Sequence, residues 1–191
     1  MSLSLRPLDD SGFGAVVDCH LATEAEGLSP QLERALHQHR LLVVPRQHLT
    51  HADLLTVASC FGTVDPSIDR RYAVGGFPGL TVISNIVEVG EYVGIYNGDD
   101  EEEWHVDNRF KPQLTAVTLL YSVITPKEGG ETCFADATRA YACLPPADRE
   151  DARGCTPSSS SARCRARPAA GSRRPRPGAS PASQRSSTLS S

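Results

Sequence analysis

The stretch EEEWHVDNRFKPQLTAVTLLYSVIT, Glu101–Thr125, decides how the rest of this chain is read. Its second part, LTAVTLLYSVIT (residues 114–125), is β-branched and apolar between Pro112 and Pro126, and predicts a strand. Its first part sets a tryptophan beside a His-x-Asp triplet, Trp104-His105-Val106-Asp107. On a strand, residues i and i+2 point to one face, so His105 and Asp107 would stand side by side. An imidazole and a carboxylate so placed are two of the three ligands of the facial triad of non-haem Fe(II) oxygenases. Three protein ligands on one side leave the other side of the ion for a cosubstrate and oxygen. A lone His-x-Asp is a weak signal, because chance supplies it in many chains. An ordinary polar strand is the plain alternative.

The segments before this stretch read as folded. SPQLERALHQHR (29–40) predicts a helix with Ser29 as N-cap and Pro30 at the first helical position. LLVVP (41–45) predicts a buried strand closed by proline. THADLLTVASCFG (50–62) has Thr50 and Asp53 in capping-box spacing and Gly62 as a stop. LTVISN (80–85) and YVGIYN (92–97) predict strands. GGETCF (129–134) predicts a short strand entered through a Gly-Gly turn. ADATRAYACLPP (135–146) predicts a helix capped by Asp136 and ended by Pro145 and Pro146. Helices come early and strands later, without regular βαβ alternation. The expectation is a mainly β, mainly antiparallel architecture with flanking helices.

Composition divides the chain in two. Residues 1–150 carry 11 Lys and Arg against 22 Asp and Glu, a net of −11; residues 151–191 carry 8 Arg against one Asp, a net of +7. Residues 151–191 also hold 11 Ser, 7 Ala and 5 Pro with one Leu, too little apolar surface for a core, so disorder is the expectation there. The abrupt change near residue 150 is also what a GC-rich gene yields when read out of frame, and a shifted frame is the expected cause. The six cysteines form no C-x-x-C pair, which argues against a zinc site and a disulfide framework. The start, MSLSLRPLDD, has no apolar run of signal-peptide length, and AVTLLYSVI (116–124) is too short to span a bilayer. A soluble cytoplasmic protein without a membrane partner is expected.

Several motifs together carry a resemblance. W-H-x-D is followed by P-x-L-x-x-x-x-L-L-Y (112–121), P-x-x-G-G-E-T-x-F-A-D (126–136) and A-Y-x-x-L (140–144). This series resembles the taurine dioxygenase and 2,4-dichlorophenoxyacetate dioxygenase family, and F-A-D looks closer to the latter branch. LVVPRQHLTHADLLTVASCFGTV (42–64) is similar to the strand, loop and helix before the family's core. The resemblance covers roughly residues 3–148. It implies a double-stranded β-helix, or jelly roll, incomplete in this chain. It implies Fe(II), 2-oxoglutarate as cosubstrate, molecular oxygen and a small-molecule substrate. Carried over, it makes His105 and Asp107 iron ligands. It also makes Thr132, 27 positions after His105, the hydroxyl that binds 2-oxoglutarate. Trp104 is expected to pack beside the site, as a pocket residue or a plain core tryptophan. The acidic run Asp99–Glu103 reads as a solvated loop that would disfavour anionic substrates if it reached the pocket mouth.

The same resemblance exposes a gap. The family needs a second histidine and a following arginine, whose planar fork grips the far carboxylate of 2-oxoglutarate. The six histidines here are His20, His37, His39, His48, His51 and His105, and none follows the His-x-Asp. The expectation is therefore a dioxygenase domain over residues 1–150 that is inactive as it stands, followed by a tail over 151–191. One rival is a non-catalytic scaffold that interacts through its basic tail; nucleic-acid binding is the form this would take and is not expected. A second is a cupin-like metalloenzyme of another reaction type using His105 and Asp107 alone.

Overall fold

The computed structural model describes residues 3–66, 70–95, 104–108 and 115–154. Its core is built by one helix on a small sheet. Strand β1 (Ser4–Pro7) pairs antiparallel with β2 (Ala15–Asp18), and β2 pairs parallel with β3 (Leu42–Val43). Parallel neighbours need a crossover. Helix α1 (Leu21–His39) supplies it, so the chain holds one β-α-β unit within an architecture that sequence patterning predicts to be mainly antiparallel. Ala15, Val16 and Val17 are all buried in β2, the central strand. Helix α1 buries Leu21, Ala25, Leu28, Leu32 and Ala35, spaced four, three, four and three apart, which is one helical face. Val17, Leu21, Ala25, Leu28 and Leu32 pack with Val57 as the core.

Helix α1 starts at Leu21, eight residues before the expected N-cap at Ser29, and Pro30 lies inside it. A proline nitrogen cannot donate to the carbonyl four residues back, here that of Glu26, at a cost of about 3 kcal/mol. Burying the Leu21 and Leu28 side chains returns about 1.5–3 kcal/mol each, so the longer helix wins. The N-terminus is capped from elsewhere. Leu21 N–H donates to Gln47 Oε1 at 2.9 Å, and His20 N–H to Glu24 Oε2 at 2.6 Å. Ser29 instead donates from its hydroxyl to the Cys60 carbonyl at 2.9 Å. It thereby satisfies an acceptor at the end of the next helix, where such groups lack partners.

That next helix, α2 (His51–Ser59), carries the expected capping box. The Thr50 hydroxyl donates to Asp53 Oδ2 at 2.6 Å, Thr50 N–H donates to the same oxygen at 2.9 Å, and Asp53 N–H returns a bond to Thr50 Oγ1 at 3.2 Å. Beyond it, β4 (Ala73–Val74) pairs antiparallel with β5 (Phe77–Thr81), against which α2 packs, and β6 (Val87–Glu88) pairs with β7 (Glu91–Tyr92). The two strands expected at 80–85 and 92–97 thus appear as ends of short hairpins, joined by an isolated bridge between Ile83 and Ile95. Residues 96 and 97 lie outside the described residues.

Two expected strands do not form. Within 114–125, the described residues 115–125 make no ladder, and Leu120, Val123 and Ile124 are exposed. Strand propensity is a fit to a pleated, half-buried surface, and no neighbouring strand is paired here among the described residues. GGETCF likewise makes no strand, although the turn is real: Gly129 and Gly130 sit at φ +75° and +73°, which side chains rarely tolerate. LLVVP does pair, but Val43 is exposed and β3 is an edge of its sheet rather than a buried strand. Helix α3 (Ala137–Ala142) is capped as expected, with Arg139 N–H donating to Asp136 Oδ1 at 3.0 Å. Helix α3 ends at Ala142 with Cys143 as its C-cap, ahead of the two prolines expected to end it, and Pro146 opens α4 (Pro146–Gly154), so helix continues past the compositional break at 150. The tail expected to be disordered lies, from residue 155, outside the described residues. Among the described residues the sheets are small and no closed barrel forms. No helix there is long and apolar enough to cross a membrane.

The capping box gives a pH-dependent stability. Bonds from the Thr50 hydroxyl and amide hold the Asp53 carboxyl below its usual range. Its stabilisation is therefore full above the unfolded-state value, and is lost as pH falls toward the lower folded-state value. Urea unfolding should show Asp53→Asn less stable than the parent at neutral pH, with the gap closing on acidification through that interval. A gap independent of pH would contradict this assignment.

Candidate functional site

The His-x-Asp motif lies in irregular backbone, 104–106, running into a turn at 107–108, rather than on a strand. The expected convergence nevertheless occurs. His105 Nε2 and Asp107 Oδ1 are 3.4 Å apart, with the two side chains about half exposed at 54% and 47%. Two ligand atoms each about 2.1 Å from an ion, at right angles, stand about 3 Å apart. The pair is thus close to the spacing one divalent cation requires. Among the described residues no three His, Cys, Asp or Glu side chains form a cage.

The turn is made by Asn108, in the left-handed region at φ +56°, a conformation asparagine tolerates better than most residues. Its side-chain amide donates to Thr115 Oγ1 at 2.9 Å. The Thr118 hydroxyl donates to Asp107 Oδ2 at 3.0 Å. Thr115 and Thr118 therefore meet the same two-residue turn. A pleated strand of period two would send residues three apart to opposite faces, which is a second reason why 115–125 is not a strand. The sequence pattern singles out neither Asn108 nor the two threonines. Their only signal is hydroxyls three apart, which is common in any β-branched run.

One turn further, Tyr121 reaches the N-terminal half. Its hydroxyl accepts from Leu49 N–H at 3.1 Å and donates to the Gln47 carbonyl at 3.3 Å. The Gln47 side chain accepts from Leu21 N–H, and its NH2 donates to the Cys19 and Pro45 carbonyls, each at 2.9 Å. The segment that contacts Asp107 is thus tied to the start of α1 and the exit of β2.

The remaining expected residues lie differently. Thr132 is exposed, between the Gly129-Gly130 turn and α3. Trp104 is 73% exposed, so it is neither a core residue nor packed into a pocket as expected. The irregular backbone at 104–106 makes no ladder that would set its ring against a sheet. The acidic run Asp99–Glu103 lies outside the described residues. Cys19, Cys60, Cys133 and Cys143 are free thiols, and burial pushes those of Cys19 and Cys60 up.

The profile of the taurine catabolism dioxygenase TauD, TfdA family matches residues 4–186. This chain belongs to that family. The match runs beyond residue 148, where the motif resemblance ends. Among curated relatives, an (S)-phenoxypropionate/alpha-ketoglutarate-dioxygenase of Delftia acidovorans is 28% identical over 159 residues, covering 78% of this chain and 51% of the relative. A pentalenolactone F synthase of Streptomyces arenae is 39% identical over 155 residues, covering 77% and 50% respectively. An alpha-ketoglutarate-dependent 2,4-dichlorophenoxyacetate dioxygenase of Cupriavidus pinatubonensis is 28% identical over 158 residues, covering 76% and 54%. The chain spans about half the length of these relatives. The relatives from Delftia acidovorans and Cupriavidus pinatubonensis both carry alpha-ketoglutarate dependence in their names.

The Tyr121 tie is testable within this family framework. Tyr121→Phe removes one donor and one acceptor from a half-buried site, at a cost of about 1 kcal/mol. Hydrogen exchange at the Leu49 amide should quicken in that variant, while the α2 amides beyond the first turn keep the parent rate. Unchanged exchange at Leu49 would contradict the tie.

Proposed function

We propose that His105 and Asp107 are two of the protein ligands of an Fe(II) centre, and that the chain serves a 2-oxoglutarate-dependent dioxygenase acting on a small organic molecule. The 3.4 Å approach of His105 Nε2 to Asp107 Oδ1 carries this reading, within a family whose relatives are named for alpha-ketoglutarate dependence. When bound, iron with 2-oxoglutarate supplies the oxidising chemistry that uses molecular oxygen. The chain's part is to hold and orient. His105 offers a neutral nitrogen donor and Asp107 a carboxylate whose charge offsets part of the cation's. The Thr132 hydroxyl, exposed after its double-glycine turn, is the proposed donor to 2-oxoglutarate.

Two of the relatives are named for (S)-phenoxypropionate and 2,4-dichlorophenoxyacetate, and one as a pentalenolactone F synthase. No histidine follows His105 in the 191 residues, so the distal histidine that the family resemblance implies is not among them. With His105 and Asp107 as the ligands of the proposed site, these 191 residues are expected to bind metal weakly and to turn over little.

Cobalt(II) absorption titrations test the assignment. The parent chain should bind one ion, and His105→Ala and Asp107→Ala should each weaken binding tenfold or more, with circular dichroism unchanged. Equal binding by both variants would contradict it. Succinate formation from 2-oxoglutarate by the 191-residue chain, at a rate ordinary for an enzyme, would contradict the two-ligand limit.

A further inference from the structure

Asp107 has two carboxylate oxygens, and they face different partners. Oδ1 stands 3.4 Å from His105 Nε2, while Oδ2 accepts the Thr118 hydroxyl at 3.0 Å. A free carboxylate rotates about its terminal torsion, which is broad and nearly two-fold. It can then chelate a cation through both oxygens or turn away from the histidine. The Thr118 bond restrains that rotation. It occupies one oxygen and leaves the other beside the imidazole.

Thr118 is itself held on both sides. Three residues before it, Thr115 accepts from Asn108, the residue after Asp107. Three residues after it, Tyr121 is bonded to Gln47 and Leu49. The hydroxyl thus comes from a segment anchored at both ends, not from a freely moving loop.

We infer that Thr118 is a positioning residue that holds Asp107 as a single-oxygen ligand, through Oδ1, on the same ion as His105. This rests on the proposed iron site. Single-oxygen ligation uses one coordination position instead of two, which leaves an additional position open for 2-oxoglutarate or oxygen. Groups that orient a metal ligand in this way change metal affinity by about tenfold to a hundredfold.

The test uses the full 191-residue chain and cobalt(II) alone. Thr118→Val keeps the branched shape and loses the hydroxyl; Thr118→Ser keeps the hydroxyl and loses the methyl. Thr118→Val should raise the cobalt(II) dissociation constant about tenfold or more and alter the visible ligand-field bands. Thr118→Ser should restore both the affinity and the bands. Urea midpoints of the three proteins, measured without metal, separate loss of positioning from loss of fold. If the parent binds cobalt(II) through His105 and Asp107 and Thr118→Val binds it equally with the same bands, the Thr118 assignment is overturned and the iron-site reading stands. A parent that binds no cobalt(II) at these residues overturns both. Affinity lost equally in the valine and serine variants also overturns the assignment, because the hydroxyl would then not be the cause.

Discussion

Gln47 is the contact on which the described fold turns. Its side-chain oxygen meets the first free N–H of α1, and its NH2 group meets the carbonyls of Cys19 and Pro45. The chemistry allows no other orientation, since a flipped amide would set oxygen against two carbonyls and NH2 against an amide. One residue thus caps the helix whose leucines make the core and fixes the exit of β2. Its backbone carbonyl then takes the Tyr121 hydroxyl, 74 residues away. Removing such a partner leaves half-buried donors and acceptors unpaired, at about 1–3 kcal/mol. The N-terminal unit and the candidate site are therefore parts of one bonded system.

What was legible in the sequence was local. The Thr50–Asp53 box and the Asp136 cap are set by side chains within three residues of the amides they serve, so spacing alone reveals them. The start of α1 was hidden because its cap comes from 26 residues away, and because Pro30 suggests a beginning where the buried leucine stripe requires an interior. The parallel pairing of β2 with β3 was equally invisible, since a two-residue ladder leaves almost no pattern. The segment 114–125 was misread for the opposite reason. Its β-branched residues suit a strand, but among its described residues, hydroxyls three apart anchor it to a turn.

The site shows the same division. The adjacency of His105 and Asp107 was legible from two-residue spacing, although a turn rather than a strand brings the head groups together. The family was legible because several motifs occur in the right order across one chain, and the family match spans residues 4–186. Thr118 was not legible, because its bond to Asp107 depends on how a segment eleven residues later folds back. A chain about half the length of its relatives thus retains an organised pair of candidate ligands, with a third group already dictating which carboxylate oxygen faces the histidine.

The central claim is that His105 and Asp107 together face one cation, and it is most directly tested by nitrogen-15 NMR of the histidine rings during titration with diamagnetic zinc(II). The account expects the His105 Nε2 resonance to shift to a ligand position, with the Asp107 carboxylate carbon moving in step. It would be contradicted if zinc(II) bound with the His105 ring nitrogen unmoved, as would happen were the ion held by the acidic run Asp99–Glu103 instead.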